Sequence, residues 1–254
     1  DHRDLHLSIR RQRQMCIRDR TKSIDVNCGT GCNTVIWTRG NEIFRITPRE
    51  NNDVNSSWMP DSHRLNFHYL HAETRLGDPF IRRGFKHEVS DWRAAISETV
   101  EGLQGFKGEE IAVIGSGRMT NEELYLLRRL ADTLETDLIS LVPRLGNSDG
   151  KLISADRNPN TSGAKLIWAS QDPYAKLDAI RQGVETGRIK ALIVFYEDLL
   201  GDAQFEADDL AKLEFLVSNN ILTNGTAKAS HVVLPGAGFA EKRCLLYTSD
   251  AADE

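Results

Sequence analysis

Two cysteines carry the first chemical signal in this chain. Cys28 and Cys32 fall in the phrase Ser23-Ile-Asp-Val-Asn-Cys-Gly-Thr-Gly-Cys-Asn33. Gly29 and Gly31 let the backbone between them turn tightly, so both sulfurs can face one point and serve as thiolate ligands. An iron–sulfur cluster of the common kind takes four cysteines. The other two in the chain, Cys16 and Cys244, stand close to its ends. His63, His68 and His71 lie further along and could supply nitrogen, which replaces sulfur in some iron–sulfur sites. The competing reading is a loop without metal, kept because its glycines suit the backbone, with the histidines satisfied internally or facing solvent.

A second candidate lies further along. Ile111-Ala-Val-Ile114 is an apolar run of buried-strand type, and it leads into Gly115-Ser-Gly-Arg-Met-Thr120. The turn starts like G-x-G-x-x-G but has Thr120 where the third glycine belongs. Strand then helix is the right setting for a phosphate on free helix amides, which makes Gly115, Gly117, Arg118 and Asn121 candidate cofactor-binding residues. Thr120 and Glu123 form a capping box in which hydroxyl and carboxylate satisfy amides at a helix start. Glu197 and Asp198 end an apolar run over 190–196, at the edge where open α/β sheets bind ligands. Paired carboxylates there suit acid–base chemistry or a plain strand-end or helix-cap role. No residue is assigned as catalytic.

The elements that must position these groups follow from periodicity. Residues 35–38 and 42–46 are β-branched and aromatic around Arg39-Gly40-Asn41, which predicts a hairpin in a small β-rich unit. Residues 75–84, with Pro79, read as an irregular linker. Trp92, Ala95, Ile96, Val100 and Leu103 recur at helical spacing, as do Leu124, Leu127, Leu130, Ala131 and Leu134. A strand over 138–142 precedes a long polar stretch over 144–163, a length uncommon without a function. Then come a helix over 174–186 capped by Gly187, a strand over 190–196, a helix over 207–213, and strands over 215–218 and 231–234. Strand–helix alternation predicts a mostly parallel sheet covered on both faces.

Set in order, several phrases resemble a known family. Asp25, Cys28, Cys32 and Pro60 occupy the four positions of the C-x2-C-x3-C-x27-C pattern that opens the molybdopterin oxidoreductase superfamily, so both outer ligand positions lack cysteine. Glu42-Ile-Phe-Arg-Ile-Thr-Pro-Arg-Glu-Asn51, Ile114-Gly-Ser-Gly-Arg-Met-Thr-Asn-Glu-Glu-Leu-Tyr-Leu-Leu127, Ala155-Asp-Arg-Asn-Pro-Asn160 and Val232-Val-Leu-Pro-Gly-Ala-Gly-Phe-Ala-Glu-Lys242 resemble the large peripheral-arm subunit of NADH–quinone oxidoreductase, the bacterial counterpart of the 75 kDa subunit of respiratory complex I.

The resemblance spans about residues 21–243 and implies a doubly wound α/β domain of the molybdopterin oxidoreductase type behind a degenerate iron–sulfur domain. It implies a scaffold and electron-transfer role beside other peripheral-arm subunits, in the cytoplasm and peripheral to the inner membrane. A 4Fe-4S cluster on Cys28 and Cys32 is the one cofactor it offers, doubtful with Asp25 and Pro60 in the outer positions, and molybdopterin is not expected. The Gly115–Asn121 turn becomes a remnant of a pterin-dinucleotide cradle. Ser140, Ser148 and Ser154 lie where catalytic relatives carry a metal ligand. The alternatives are a formate-dehydrogenase-like molybdopterin enzyme or a stand-alone interaction module on the same fold.

The ends read differently. Residues 1–20 and 244–254 resemble translated sequencing-adapter read-through and are expected to be non-native tails, which removes Cys16 and Cys244 from consideration and implies a longer native chain. Domains are then expected at 21–76 and 77–243. Six arginines and three aspartates in the first tail are offset by three acids in the last, so the core keeps the chain's net charge of −5. A mildly acidic core without a basic stripe argues against nucleic acid. No apolar run approaches the ~20 residues of a membrane helix.

Overall fold

The computed structural model describes residues 19–242 except 41, 170 and 202. The expected tails therefore lie outside the described residues, apart from Asp19 and Arg20, which belong to the first strand. β1 (Asp19–Ile24), β2 (Asn33–Arg39) and β3 (Glu42–Pro48) form an antiparallel sheet in that order. The hairpin forms where the sequence places it: Arg39 pairs with Glu42, and Gly40 adopts φ 56°, a value glycine takes without steric cost. Ile36, Ile43 and Ile46 pack with Met59, Phe67, Leu70 and Cys32 into a small core. α1 (Asp61–Arg64) follows Pro60, whose fixed φ of −65° suits a helix start.

The second sheet has seven strands. β6 (Ile111–Gly115), β7 (Ile139–Leu141), β8 (Ala191–Phe195), β9 (Phe215–Asn220) and β10 (Val232–Pro235) run parallel, in the order β10-β9-β8-β6-β7. Two short strands, β4 (Phe80–Arg83) and β5 (Lys86–Val89), add antiparallel to the β10 edge. Here the expectation of an irregular linker over 75–84 is corrected. Only Ile81 of β4 is buried, so no alternation announces the strand, and pairing with β10 supplies what local pattern lacks.

Helices cover both faces. α2 (Trp92–Leu103), α3 (Asn121–Thr133) and α4 (Thr161–Ile167) pack on one side through Ala95, Leu124, Leu127, Ala131 and Ala164, against Val113, Ile193 and Val217 of the strands. α5 (Leu177–Glu185) and α6 (Ala207–Leu210) pack on the other through Ile180, Val184 and Leu210, against Ile114, Leu192 and Leu216. The alternate strand residues thus face opposite layers, as a doubly covered sheet requires. Truncating a fully buried side chain such as Ile114 to alanine costs about 2–5 kcal/mol in such cores.

Three further details differ from expectation. α4 and the short α7 (Gly225–Ala229) have no counterpart in the sequence pattern, and α6 stops at Leu210 rather than 213. On α2 only Ala95 and Leu103 are buried, while Trp92, Ile96 and Val100 stay about half exposed. Helical spacing marks that stripe, but Ile96 and Val100 border an open cleft of about 490 Å3 with Ile193, Phe195, Val217 and Leu234 of the sheet, and nothing among the described residues fills it.

Candidate functional site

The strand order sets up a switch point. β6 comes first among the parallel strands, and the next two, β7 and β8, lie on either side of it. Helices leave the carboxyl ends of such strands in opposite directions and open a crevice there. The Gly115–Asn121 turn follows β6 and the Tyr196–Asp198 segment follows β8, so the sequence-derived candidates do come together. Arg118, Tyr196 and Asp198 line a cleft of about 290 Å3 with Tyr69, Arg144, Asn220 and Lys242. Tyr196 holds a left-handed backbone, φ 59°, at the end of β8, unusual for a bulky residue. Its hydroxyl donates to Glu123 at 3.3 Å, and Lys242 Nζ lies 4.2 Å from its ring centre.

The carboxylates divide their roles. Glu197 is fully buried, and its two oxygens accept from both terminal nitrogens of Arg144 at 2.7 and 2.6 Å. Burial pushes its carboxyl above the usual range, against the opposing pull of Arg144. Asp198 Oδ1 accepts from the Thr226 amide at 3.1 Å and its hydroxyl at 3.0 Å, steadying α7. Neither group is posed as half of an acid–base pair; one is a buried ion pair and the other a cap.

The glycines of the turn serve packing. A Cβ on Gly115 would lie 2.4 Å from Leu127 Cδ2, and one on Gly117 would lie 2.5 Å from Asn158 Cβ. Asn158 is wholly buried and donates to Val142 O at 2.9 Å and to the Tyr174 hydroxyl at 3.1 Å. Asn160 donates to Met119 O at 2.9 Å and to Asn121 Oδ1 at 3.0 Å. The space beside the turn is thus filled by the 155–160 phrase of the same chain. The capping box forms as expected, with Thr120 Oγ1 accepting from Glu123 N and Glu123 Oε2 from Thr120 N. Of the four turn candidates, Arg118 faces the cleft while Gly115, Gly117 and Asn121 are engaged internally.

Cys28 and Cys32 lie in the β1–β2 connection and are both fully buried. The Asp25 amide donates to Cys32 O at 2.7 Å, closing the loop, and Gly31 takes φ 64° within it. The far wall comes from the long polar stretch: Gly29 N donates to Asp156 O at 2.9 Å, and both sulfurs lie 3.9 Å from Leu152 O. Burial, followed by the nearby Asp25 and Cys28, pushes the Cys32 thiol up to about 11.

Asp25 and His63 complete this pocket. Asp25 Oδ2 and His63 Nδ1 lie 2.5 Å apart, both buried, and Asp25 Oδ1 accepts from the Asn27 amide and side chain at 3.0 and 2.6 Å. Asp25, Cys28 and His63 each offer one donor atom, all within 4.8 Å of one another. The other two histidines stand elsewhere: His68 is exposed against Phe67, and His71 Nε2 accepts from Ile43 N at 3.2 Å. Ser140 and Ser148 donate to main-chain carbonyls and Ser154 Oγ accepts from Asp156 N, so none of the three is posed as a metal ligand.

These donors do not suit a cubane. Cys28 and Cys32 offer sulfur, but Asp25 is held by three hydrogen-bonding contacts and Pro60 has no side-chain donor. The residues do not fit a four-iron group.

Comparison with known proteins bears on both domains. Residues 18–68 match the family described as NADH-ubiquinone oxidoreductase NDSU1/NuoG-like, 4Fe-4S domain. The chain is 31% identical over 116 residues to "Probable oxidoreductase YjgC" of Bacillus subtilis, covering 44% of this chain and 12% of that protein. It is 31% identical over 163 residues to the NADH-ubiquinone oxidoreductase 75 kDa subunit of Reclinomonas americana, 62% of this chain and 23% of that one. It is 36% identical over 125 residues to the mitochondrial NADH-ubiquinone oxidoreductase 78 kDa subunit of Neurospora crassa, 48% of this chain and 16% of that one. The chain thus spans less than a quarter of the length of these relatives. Acetylene hydratase from Pelobacter acetylenicus superposes at TM-score 0.41 with 13% identity, over 83% of this chain and 28% of that structure. So loose a likeness leaves the fold description resting on the strand order. The resemblance to the 75 kDa subunit drawn from the sequence phrases is shared by the matched family and two of these relatives.

Proposed function

We propose that this chain is part of a respiratory complex I component of the 75 kDa type, in which it supports electron transfer from NADH to quinone as architecture, without a cubane of its own. The observation that carries the reading is the buried Asp25–His63 contact in the domain for which the matched family is described as 4Fe-4S. Two thiols fall short of the four ligands a cubane of the common kind takes, and Pro60 adds no side-chain donor. The α/β domain belongs, on this reading, to the molybdopterin oxidoreductase type, with its dinucleotide turn filled by Asn158 and Asn160. The same filling disfavours the formate-dehydrogenase-like alternative.

The partners are other peripheral-arm subunits of the complex, at the cytoplasmic face of the inner membrane. None of the described helices is long and apolar enough to cross a membrane, in keeping with a peripheral place. Anaerobic reconstitution with iron and sulfide, followed by electron paramagnetic resonance of the reduced chain, tests the reading. A silent spectrum is expected; a cubane signal lost on replacing Cys28 and Cys32 together would overturn it. Co-expression with the arm's other subunits should give co-elution, and its absence would contradict the proposed assembly.

A further inference from the structure

Asp25, Cys28 and His63 bring oxygen, sulfur and nitrogen donors from three points of the small domain into one buried cluster, each within 4.8 Å of the others. Asp25 directly follows β1 and Cys28 sits in the ensuing loop. His63 projects from the single turn of α1, three residues after Pro60. The residues are 4%, 0% and 7% exposed. The Asp25–His63 pair and the Asn27 contacts offset the burial of carboxylate and imidazole, and the adjoining Cys28 thiol adds a sulfur donor, so oxygen, nitrogen and sulfur meet at one water-poor point.

We propose that these three residues bind a single zinc-class divalent cation, in place of the cluster that the preceding reading removes. Zinc accepts this donor mixture, with bonds of ~2.0–2.3 Å that put tetrahedral ligands ~3.3–3.6 Å apart. The cluster needs to contract by about 1 Å toward that spacing, while the Asp25–His63 contact opens by about as much. One carboxylate and one thiolate neutralise the two positive charges. On binding, the Cys28 thiol proton leaves to solvent, the His63 ring keeps one proton on the nitrogen turned away from the metal, and metal–sulfur, metal–oxygen and metal–nitrogen bonds form. A cavity of about 10 Å3 borders Asp25 and His63, though not Cys28, and its room for one water supplies the fourth ligand of the proposed site.

Cys32 stays outside the cluster among the described residues, its sulfur turned to Leu152 O beside that of Cys28. The proposed site therefore uses Cys28 and leaves Cys32 as a neighbour.

Cobalt(II) titration of the metal-free, reduced chain reads this directly, because thiolate coordination to cobalt gives a charge-transfer absorption. The expected result is saturation at one cobalt per chain, displacement by zinc, loss of the absorption in Cys28→Ser and at least a tenfold weaker affinity in His63→Gln. Cys32→Ser should bind as the parent does. Far-UV circular dichroism separates lost ligands from lost fold, and the parent titration decides the matter even if a variant fails to fold. Absence of cobalt uptake by the parent, or equal losses in Cys28→Ser and Cys32→Ser, would overturn the proposal while leaving the cluster-free reading standing. A four-iron centre in reconstituted protein would overturn both.

Discussion

The β1–β2 loop and the Gly115–Asn121 turn occupy the two places where the resemblance to molybdopterin oxidoreductases implies a bound group, and they differ in what stands there. At the turn, protein has moved in: Asn158 lies against Gly117, and Asn160 binds Met119 and Asn121. At the loop, donors meet: Asp25 and His63 pair beside Cys28. A glycine turn keeps its backbone shape whether or not a ligand presses on it. A ligand set changes its chemistry with each substitution. On the proposals made above, one pattern leaves a filled site in one domain and a re-equipped one in the other.

The comparison predicts that the α/β side tolerates polar loss poorly. Arg144→Ala leaves the buried Glu197 carboxylate without its cation, with a loss of about 3–5 kcal/mol in chemical denaturation. The Arg144→Met, Glu197→Leu pair should recover most of it; an Arg144→Ala loss below about 1 kcal/mol would show the pair to be ornamental to the switch point. Next in size, Gly117→Ala drives a methyl into Asn158 and costs about 1–3 kcal/mol. If it is neutral, Asn158 does not fill the turn.

The two regions also respond oppositely to pH. Burial, with Arg82 and then His87, holds His231 near β10 down to about 4 from 6.5. The unfolded chain takes up that proton first, so stability is full above pH 6.5 and falls between 6.5 and about 4. In the metal-free loop Cys32 is raised from 9.0 to about 11, so the unfolded chain loses its proton first and stability falls as pH rises through that window. Melting temperatures across pH should show both slopes, with His231→Gln flattening the acid limb alone and Cys32→Ala the alkaline limb alone. A smaller effect is expected at the end of the turn: Thr120→Ala removes the cap of α3 and costs about 1 kcal/mol without touching the β1–β2 loop.

Local rules make much of this legible. The Arg39–Asn41 hairpin, the Thr120–Glu123 capping box, the Gly187 cap and the five parallel strands follow from turn chemistry, capping chemistry and apolar runs. What stays hidden depends on distant chain. β4 has one buried residue and exists because β10 offers an edge. Ile96 and Val100 carry helical spacing and face Ile193, Val217 and Leu234 of the sheet across an open cleft, so they stay half exposed. At the site, Cys28, Cys32 and the substituted Asp25 and Pro60 stand out in the pattern. Nothing local separates His63 from His68 and His71; only the helical turn after Pro60 aims the first at Asp25. The 144–163 stretch signals a role by its length alone, and its contacts with both candidate sites emerge only in three dimensions.

Iron, zinc and acid-labile sulfide counted per chain, after anaerobic exposure to all three, test the central claim most directly. One zinc with neither iron nor sulfide is the predicted composition. Four irons with four sulfides, retained through gel filtration, would contradict it.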